Sequence, residues 1–302
     1  MNKTLIGGKL NSSRIALGCM RIGSLDEKSA QKHIQIAMEL GINYFDHADI
    51  YQKGYCEELF GKVYDKSQRD NMIIQSKCGI RQGYYDFSKE HIINSVNGSL
   101  KRLQTNYLDV LLLHRPDALM EGEEVAEAFD ELYNSGKVKN FGVSNFNPMQ
   151  VEYLKKYVNQ PLIINQLQLG ITNTGMIDCG INVNMKNENS INHDGSVLEY
   201  SRINDMTIQA WSPFRHTKET GVVIGSELLP EVNECLNKFA LVYDVSPSAV
   251  MVSWILRHPA KIQTIVGTTN TARLLDICNA DCVQMSREDW YEIYRSAGNI
   301  VP

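Results

Sequence analysis

Four polar side chains lie at or just beyond the ends of three consecutive apolar segments. Asp46 and Tyr51 follow the first of these segments, Lys77 follows the second and His114 follows the third. If the segments are parallel strands, their carboxyl ends meet at the same mouth of a barrel, where catalytic groups of such folds collect. We therefore expect the four side chains to form one cluster.

The residue types in this cluster suit the delivery of a proton. A tyrosine has an ordinary pKa of about 10, which is high for proton exchange near neutrality. A nearby ammonium such as Lys77 stabilises the phenolate and lowers that pKa, and Asp46 can supply the counter-charge that a desolvated ammonium needs. His114 can donate to an incoming oxygen and orient it. Carbonyl reduction requires this chemistry, because it protonates an oxygen that becomes negative.

Structural interpretations of the same residues also exist. Each of these residue types, taken singly at a strand end, more often packs, hydrogen-bonds or faces solvent than takes part in chemistry. Four of them at the ends of three consecutive strands are much harder to obtain by chance. His47 and Asp49 lie in the same stretch but are not required for proton delivery by the cluster. We interpret His47 as a supporting residue or a wall of the substrate site.

The elements that must position this cluster are eight short apolar segments that alternate with helical patterns. The predicted strands are Ile15–Cys19, Asn43–Asp46, Met72–Ser76, Leu108–Leu113, Asn140–Val143, Leu162–Asn165, Thr207–Trp211 and Ile262–Val266. Such alternation favours a parallel sheet, and a closed (β/α)8 barrel accounts for the chain length. A doubly wound sheet would normally carry G-x-G-x-x-G after its first strand, whereas this chain reads "ALGCMRIG" there. The sequence therefore predicts one barrel domain spanning residues 1–302.

Several local signals mark the elements around the barrel. An alternating pattern around Gly7-Gly8 predicts an N-terminal hairpin. Ser24 to Glu27 has the form of a capping box at the start of the first helix. Gly136 is placed to end the helix that precedes it. Asn147-Pro148 and Ser246-Pro247 each pair a cap residue with proline in the first helical turn.

Two segments lie outside the repeat. Residues 180–196 are rich in asparagine and have no helical or strand period, so we expect a long mobile loop after the sixth strand, with residues 182–194 as its most mobile part. Residues 288–295 form a last amphipathic helix, after which the chain ends in a short tail.

Composition excludes several classes of function. The formal net charge is −5, which disfavours nucleic acid and anionic membrane as partners, and there is no apolar run that could span a bilayer. The seven cysteines are an odd number in a long chain without a secretion signal, which indicates reduced thiols and a cytoplasmic location. Cys278 and Cys282 lack the companions of a zinc site, so we expect no metal.

At this level of detail the sequence resembles the aldo-keto reductase family over essentially its whole length, and most of all the bacterial YdhF-like oxidoreductase branch. The motifs that carry the resemblance are "FDHADIY", "IIQSKCG", "LLLHRPD" and "GKVKNFGVSNF", in the family's order. The resemblance implies that Tyr51 is the general acid, that Lys77 and Asp46 tune it, and that His114 orients the substrate carbonyl. It also implies transfer of the pro-R hydride of NADPH to the carbonyl carbon of an aldehyde or ketone.

The resemblance further implies a set of cofactor contacts. Ser144, Asn145 and Gln166 would hold the nicotinamide carboxamide, and Trp211 would stack on the nicotinamide ring. The remaining positions implied to contact the cofactor, beside Asp46, are Gly18, Met20 and Arg21 after the first barrel strand, Ser212, Pro213 and Phe214 at the pyrophosphate, Gly267, Thr268 and Arg273 near the 2′-phosphate, and Asp276 near the adenine.

Three positions depart from the family pattern. Gln52 stands beside Tyr51 where many members have glycine, and Ile277 follows Asp276 where asparagine is common. Gly267 stands where several eukaryotic members have a phosphate-binding lysine. The resemblance implies NADP(H) as the cofactor, and the absence of that lysine leaves NAD(H) as the alternative.

Two other functions are weighed against reduction. A non-catalytic redox sensor or regulatory subunit could hold the same nucleotide, as the potassium-channel β subunits of this family illustrate. A metal-dependent hydrolase would need ligands beside His114 that the strand ends do not offer. The substrate is expected to be a small carbonyl compound, with Tyr84, Tyr85 and Phe87 as candidate walls or plain surface aromatics. The protein is expected to be a monomer or a weak homo-oligomer.

Overall fold

The computed structural model describes residues 1–217 and 221–301. Within these ranges, eight parallel strands close into a barrel in the order β10-β3-β4-β5-β6-β7-β8-β9. The strands are β3 (Ile15–Gly18), β4 (Tyr44–Asp46), β5 (Ile73–Cys78), β6 (Val110–Leu113), β7 (Phe141–Ser144), β8 (Leu162–Gln168), β9 (Thr207–Trp211) and β10 (Gln263–Val266). All eight predicted strands and the barrel are confirmed.

Helices follow the strands and surround the barrel. They are α1 (Glu27–Glu39), α2 (Tyr55–Val63), α3 (Lys89–Leu103), α4 (Gly122–Asn134), α5 (Pro148–Lys155), α6 (Gly175–Ile181), α7 (Val197–Ile203), α8 (Pro230–Tyr243), α9 (Pro247–Leu256), α10 (Thr271–Cys278) and α11 (Arg287–Ser296). In the described part of the chain no single helix is long and apolar enough to cross a membrane. Helices α8 and α9, which meet at 86°, would together have a sufficient length and apolar composition, but neither does alone.

The barrel strands are apolar because both of their faces are covered. β6, with the sequence VLLL, is buried along its whole length. Val110 and Leu112 point into the barrel and pack with Ile164 and Ile265, whereas Leu111 and Leu113 pack outward against the helices. This two-sided burial produces the continuous apolar run that the sequence shows.

The predicted N-terminal hairpin is confirmed and lies under the barrel. Its strands, β1 (Lys3–Ile6) and β2 (Leu10–Ser13), pair antiparallel. Gly7 has φ 54° and lies so close to β8 that a β-carbon there would come within 2.4 Å of Ile163. The Gly7 N–H also donates to the Thr207 hydroxyl at 2.9 Å. The hairpin thus covers the amino-terminal end of the barrel, opposite the mouth.

One of the predicted helix caps is wrong. Ser24 does not cap α1, because residues 19–24 wind into a 3-10 turn in which the Ser24 hydroxyl donates to the Arg21 carbonyl. The cap is Asp26, which accepts the Ser29 N–H at 2.9 Å. The other signals hold: Asn147 and Ser246 cap α5 and α9, and Gly136 adopts φ 72° just beyond α4.

The asparagine-rich segment 180–196 lies between β8 and β9, and its side chains hydrogen-bond mainly to the segment itself. Asn187 caps a 3-10 turn at Glu188–Ser190. The Asn192 side-chain oxygen accepts the N–H groups of residues 194, 195 and 196. A β-carbon on Gly195 would lie 3.2 Å from Pro148, so the end of the segment lies beside the start of α5, near the mouth. These turns supply the local order that the sequence pattern did not show.

Candidate active site

Asp46, Lys77 and Tyr51 form a hydrogen-bonded line at the carboxyl ends of β4 and β5. The Lys77 ammonium lies 2.7 Å from Asp46 Oδ1 and 3.0 Å from the Tyr51 hydroxyl oxygen. It also donates to the backbone oxygen of His47 at 2.7 Å. An ammonium has three donors, so all of them are used and the position of Lys77 Nζ is fixed.

Burial and charge act in opposite directions on this line. Burial by itself disfavours the Lys77 ammonium, but Asp46 and Tyr51 outweigh it, so the pKa of Lys77 is raised above its ordinary value. Burial also raises the pKa of Tyr51, and the lowering by Lys77 offsets only part of that effect. The sequence-based expectation of a lowered Tyr51 pKa is therefore wrong. Lys77 does lower that pKa, as expected, but burial raises it by more.

His114 lies beside Tyr51, with the ring centroids 6.1 Å apart and the ring planes at 81°. Burial, and then the positive charges of Lys77 and Arg115, lower the pKa of His114 to about 2. Its buried Nδ1 has no hydrogen-bond partner among the described residues. His114 is therefore a neutral imidazole, which can donate a hydrogen bond from one nitrogen but carries no excess proton near neutral pH.

His47 is buried away from the mouth, and one side-chain oxygen of Asp49 is buried. His47 is fully buried with its ring edge against Phe60, so it cannot be a wall of the substrate site, and its pKa is lowered to about 3 by burial and then by Lys77. Its backbone oxygen supports Lys77. Burial, followed by the charge of Glu57, raises the pKa of Asp49 to about 7.

The turn that carries Tyr51 is strained where the sequence departs from the family pattern. Gln52 has φ 50° and Lys53 has φ 57°, both in the left-handed region that favours glycine. Gly54 follows with φ 94° and leads into α2. The turn at Gln52 therefore keeps a backbone shape that glycine adopts easily, although the residue there is glutamine.

The residues expected at the nicotinamide lie together across the mouth from Tyr51. Asn145 accepts the Trp211 ring N–H at 3.3 Å and donates to the Ser144 hydroxyl at 2.8 Å. The Gln166 amide nitrogen donates to Asp46 Oδ1 and to Gln209, each at 3.0 Å. Both of its N–H groups are thus engaged, and its side-chain oxygen has no partner among the described residues, which leaves it able to accept from an amide.

The residues expected at the other end of the cofactor lie around the ends of β3, β9 and β10. Gly18 lies against Gly267, with the Gly18 carbonyl oxygen 3.9 Å from the place of a β-carbon on Gly267. Met20 and Arg21, in the turn after β3, are exposed. Ser212 follows Trp211 with φ 50° and leads into Pro213 and Phe214.

The positions expected near the 2′-phosphate lie in the first turn of α10 and in the loop just before it. Arg273 is exposed, and its guanidinium has no hydrogen bond or ion pair with the described residues. Asp276 is also exposed, one turn further along the helix. The Thr268 carbonyl is tied to the buried His33 ring at 2.9 Å. His33 is a supporting residue that the sequence patterns did not single out.

Arg115 is a mouth residue that the sequence analysis missed. It follows β6, yet its guanidinium carbon lies 5.6 Å over the ring of Trp211 at the end of β9. Because β7 and β8 separate these two strands, the side chain reaches across the mouth. It makes no ion pair with the described residues. The signal available in the sequence was its position directly after His114, at the end of the same strand.

Of the three candidate wall aromatics, Tyr84 and Tyr85 are exposed and Phe87 is buried.

The model of the aldo/keto reductase family matches residues 14–297 of the chain. The chain belongs to the aldo-keto reductase family. A relative from Agrobacterium fabrum, named 6-dehydroglucose reductase, is 33% identical, with 98% of each chain covered. The oxidoreductase YdhF of Escherichia coli is 32% identical, with 94% of this chain and 93% of the relative covered, which confirms the resemblance found in the sequence.

Solved structures of aldo-keto reductases share the fold of this aldo-keto reductase. One from Klebsiella pneumoniae, in complex with NADP and acetate, superimposes with a TM-score of 0.80 at 20% identity and covers 99% of this chain and 96% of that one. One from Bacillus halodurans, a holo form, gives a TM-score of 0.77 at 24% identity, with coverage of 100% and 98%. Both comparisons support the same closed barrel.

As a member of this family, the protein is an NAD(P)H-dependent oxidoreductase that acts on small carbonyl compounds. The side chains at the mouth fit a nicotinamide cofactor, because an amide acceptor (Gln166) and an aromatic ring (Trp211) lie across the mouth from Tyr51. In the described residues, no group of three or more His, Cys, Asp or Glu side chains is placed to hold a metal ion.

Proposed function

We propose that this aldo-keto reductase uses NADPH to reduce aldehydes and ketones to alcohols, with Tyr51 as the general acid. The observation that carries the proposal is the buried Lys77 ammonium, which bridges Asp46 Oδ1 at 2.7 Å and the Tyr51 hydroxyl at 3.0 Å. Tyr51 is partly exposed at the mouth, so its hydroxyl can reach a bound substrate while Lys77 stays buried.

The choice of Tyr51 over His114 follows from protonation. General acid catalysis needs a group that holds a transferable proton at the working pH. His114, with a pKa of about 2, is a neutral ring at that pH and serves to orient the carbonyl oxygen with a hydrogen bond. Tyr51 is protonated, since its pKa is raised by burial.

Lys77 has its main effect once the proton has left. The Tyr51 phenolate that remains lies 3.0 Å from a fixed positive charge, and this charge stabilises the phenolate in a desolvated site. Asp46 balances the charge of Lys77, so that the buried ammonium is paired. Lys77 therefore acts on the reaction by stabilising the phenolate form of the acid, and Asp46 acts by keeping Lys77 charged.

The proposed cofactor contacts place each part of NADPH beside a fitting group. Gln166, Ser144 and Asn145 would hold the carboxamide, and Trp211 would cover one face of the nicotinamide ring. Arg273 and Thr268 would hold the 2′-phosphate, with Asp276 near the adenine. The remaining proposed contacts are Gly18, Met20, Arg21, Ser212, Pro213, Phe214 and Gly267. When bound, the cofactor supplies the hydride for the carbonyl carbon.

The substrate class is drawn from the site and the relatives together. The Agrobacterium fabrum relative is named for a sugar carbonyl, and we propose that small aldehydes, sugar aldehydes among them, are accepted here. We also propose one barrel domain over residues 1–302, although Pro302 lies outside the described residues. A cytoplasmic location and a monomer or weak homo-oligomer complete the proposal.

The test combines a binding measurement with a turnover measurement. Fluorescence titration should show tighter binding of NADPH than of NADH. A panel of aromatic, aliphatic and sugar aldehydes, followed by NADPH absorbance, should then show turnover that depends on enzyme concentration. Tight NADPH binding with no turnover on the whole panel would contradict the proposal and favour a redox sensor instead.

A further inference from the structure

A chain of glutamine side chains runs through the barrel interior to Asp46. Gln75, Gln166, Gln209 and Gln263 are at most 3% exposed, and we call them the glutamine chain. Gln209 is paired in the barrel with Gln166 on one side and with Gln263 on the other, while Gln75 is paired with Asp46. Most of the interior around them is apolar, so a buried row of amides needs a complete set of partners.

From Gln75 and Gln166 to Ser13, the hydrogen bonds of the glutamine chain all run in one direction. The Gln263 amide nitrogen donates to the Ser13 backbone oxygen at 2.6 Å. A carbonyl oxygen can only accept, so the Gln263 side-chain oxygen must face the other way, where it accepts from Gln209 at 2.8 Å. The Gln209 oxygen then accepts from Gln75 and from Gln166, each at 3.0 Å.

The orientation of the Gln263 amide at the closed end of the barrel determines which atoms of Gln75 and Gln166 face Asp46. Gln75 donates to Asp46 Oδ1 at 2.5 Å and Gln166 donates to the same oxygen at 3.0 Å. The Tyr44 hydroxyl donates to the Gln75 oxygen at 2.6 Å, so both ends of that amide have partners. Together with Lys77 at 2.7 Å, three donors converge on one carboxylate oxygen.

We propose that Gln209 and Gln263 are positioning residues for proton delivery, because the direction of the glutamine chain turns the amides of Gln75 and Gln166 toward Asp46 and so holds its carboxylate against Lys77. Neither residue hydrogen-bonds to Asp46, Lys77 or Tyr51. The inference rests on the proposed role of Tyr51 as the acid, and it extends the machinery from the mouth to the hairpin that covers the opposite end of the barrel.

The proposal predicts a shift in titration. Asp46 raises the pKa of both Lys77 and Tyr51, so a loosened Asp46 should let both groups lose protons at lower pH. On the side of β8 to β10, the polar side chains nearest to Lys77 and Tyr51 are the uncharged amides of the glutamine chain. The other titratable groups that face it from the elements around it are Cys19 after β3, Tyr44 and His47 on and after β4, and His114 after β6.

The decisive variant is Gln209→Met, which keeps the length of the side chain but can neither accept from Gln75 and Gln166 nor donate to Gln263. We expect the alkaline limb of the kcat profile to move down by about one pH unit, the lower end of what a nearby charge does to a pKa. The second readout is independent of turnover: NMR of protein labelled at the tyrosine ζ-carbon, with the Tyr51 signal assigned by its loss in Tyr51→Phe, should show a lower titration midpoint.

The matched control is Thr264→Val on β10, next to Gln263. Thr264 is fully buried and its hydroxyl has no hydrogen-bond partner among the described residues, so its removal should leave both titrations unchanged. If Gln209→Met does not fold, Gln263→Met, one link further from Asp46, should show the same shift to a smaller extent.

The outcomes separate the possible roles. A lowered melting temperature with an unchanged Tyr51 titration in every glutamine variant that folds would mean that the chain only fills the barrel, and would overturn the proposal. If the unmodified protein reduced no carbonyl, the proposed function would fail, while the NMR titration would still decide whether the glutamine chain controls Tyr51.

Discussion

Lys77 Nζ lies 3.0 Å from the Tyr51 hydroxyl oxygen although the two residues belong to different strand-loop units of the barrel. Lys77 is the fifth residue of β5, whereas Tyr51 lies in the turn that follows β4. The parallel pairing of Asp46 with Gln75 brings the two units into register. The relationship thus depends on the closed barrel, and it leads to predictions that can be measured separately.

The first prediction concerns pH. His114 and His47 have pKa values of about 2 and 3, so neither should change its charge between pH 5 and pH 9. Reduction needs protonated Tyr51, whose pKa is raised, so activity should be present at low pH and lost only as the pH rises through that pKa. We expect kcat for a carbonyl substrate to be flat from pH 5 to pH 9. A limb near pH 6.5 that disappears in His114→Asn would show that the imidazole titrates, contrary to this account.

The second prediction concerns the choice of cofactor. The guanidinium of Arg273, which has no partner among the described residues, is available to a 2′-phosphate, and a charge-assisted bond of this kind changes affinity by roughly tenfold to a hundredfold. Arg273→Ala should therefore weaken NADPH and leave NADH nearly unchanged, as measured by fluorescence titration. Arg287→Ala on the distant α11 is the control and should affect neither. Equal dissociation constants for the two cofactors in the unmodified protein would be incompatible with a 2′-phosphate site.

The third prediction concerns the charge of the substrate. Arg115 reaches across the mouth to Trp211 without an acidic partner in the described residues, so it can attract an anionic group on the substrate. Arg115→Gln should lower kcat/KM for 4-carboxybenzaldehyde by about tenfold, the size of one charged hydrogen bond, and change that for 4-nitrobenzaldehyde little. Arg81→Gln, which removes an arginine paired with Asp86, is the control. Equal losses on both aldehydes would show that Arg115 acts on the fold or the cofactor.

The fourth prediction concerns the loop at residues 182–194. Most of its residues are exposed, and its hydrogen bonds are mainly internal, so little apolar burial opposes local opening. We expect rapid amide hydrogen exchange there in the free protein and slower exchange with NADPH or substrate bound. Protection throughout the loop in the free protein would disprove mobility, and fast exchange unaffected by either ligand would exclude a lid.

The sequence was sufficient for the barrel because each strand is buried on both faces. β6 illustrates this, since VLLL has no polar position that a solvent-facing strand would need. Helix starts were less certain where two cap residues compete. Ser24 and Asp26 both precede α1, and the 3-10 turn at residues 19–24, formed in the folded context, leaves the role to Asp26.

The residues of the candidate site could be predicted from the sequence, but their pKa values and long-range contacts could not. The positions of Asp46, Tyr51, Lys77 and His114 follow from strand ends. The raised pKa of Tyr51 follows from burial by other parts of the chain, which no local pattern encodes. The reach of Arg115 over Trp211 and the direction of the glutamine chain likewise depend on contacts between residues far apart in sequence.

The fifth prediction concerns Lys77→Met. Removing the ammonium leaves the buried Asp46 carboxylate without its charge partner, which typically costs about 3–5 kcal/mol of folding free energy. The phenolate also loses its stabilising charge, so kcat should fall by a factor of about 10² or more. Thermal unfolding and carbonyl reduction should be measured on the same preparation. Unchanged stability together with unchanged kcat would contradict the bridging role of Lys77.

The most direct test of the account is the kcat of Tyr51→Phe beside that of Tyr55→Phe. Tyr51→Phe removes one hydroxyl and keeps the ring, so circular dichroism and NADPH affinity should be preserved. Tyr55, four residues further along and exposed, provides the matched loss of a phenol outside the proposed site. We predict that kcat for Tyr51→Phe falls by a factor of about 10² to 10⁴, the usual contribution of a general acid, with Tyr55→Phe close to the unmodified enzyme. A Tyr51→Phe enzyme that keeps more than about a tenth of the unmodified rate on a good substrate would contradict the assignment of Tyr51 as the proton donor.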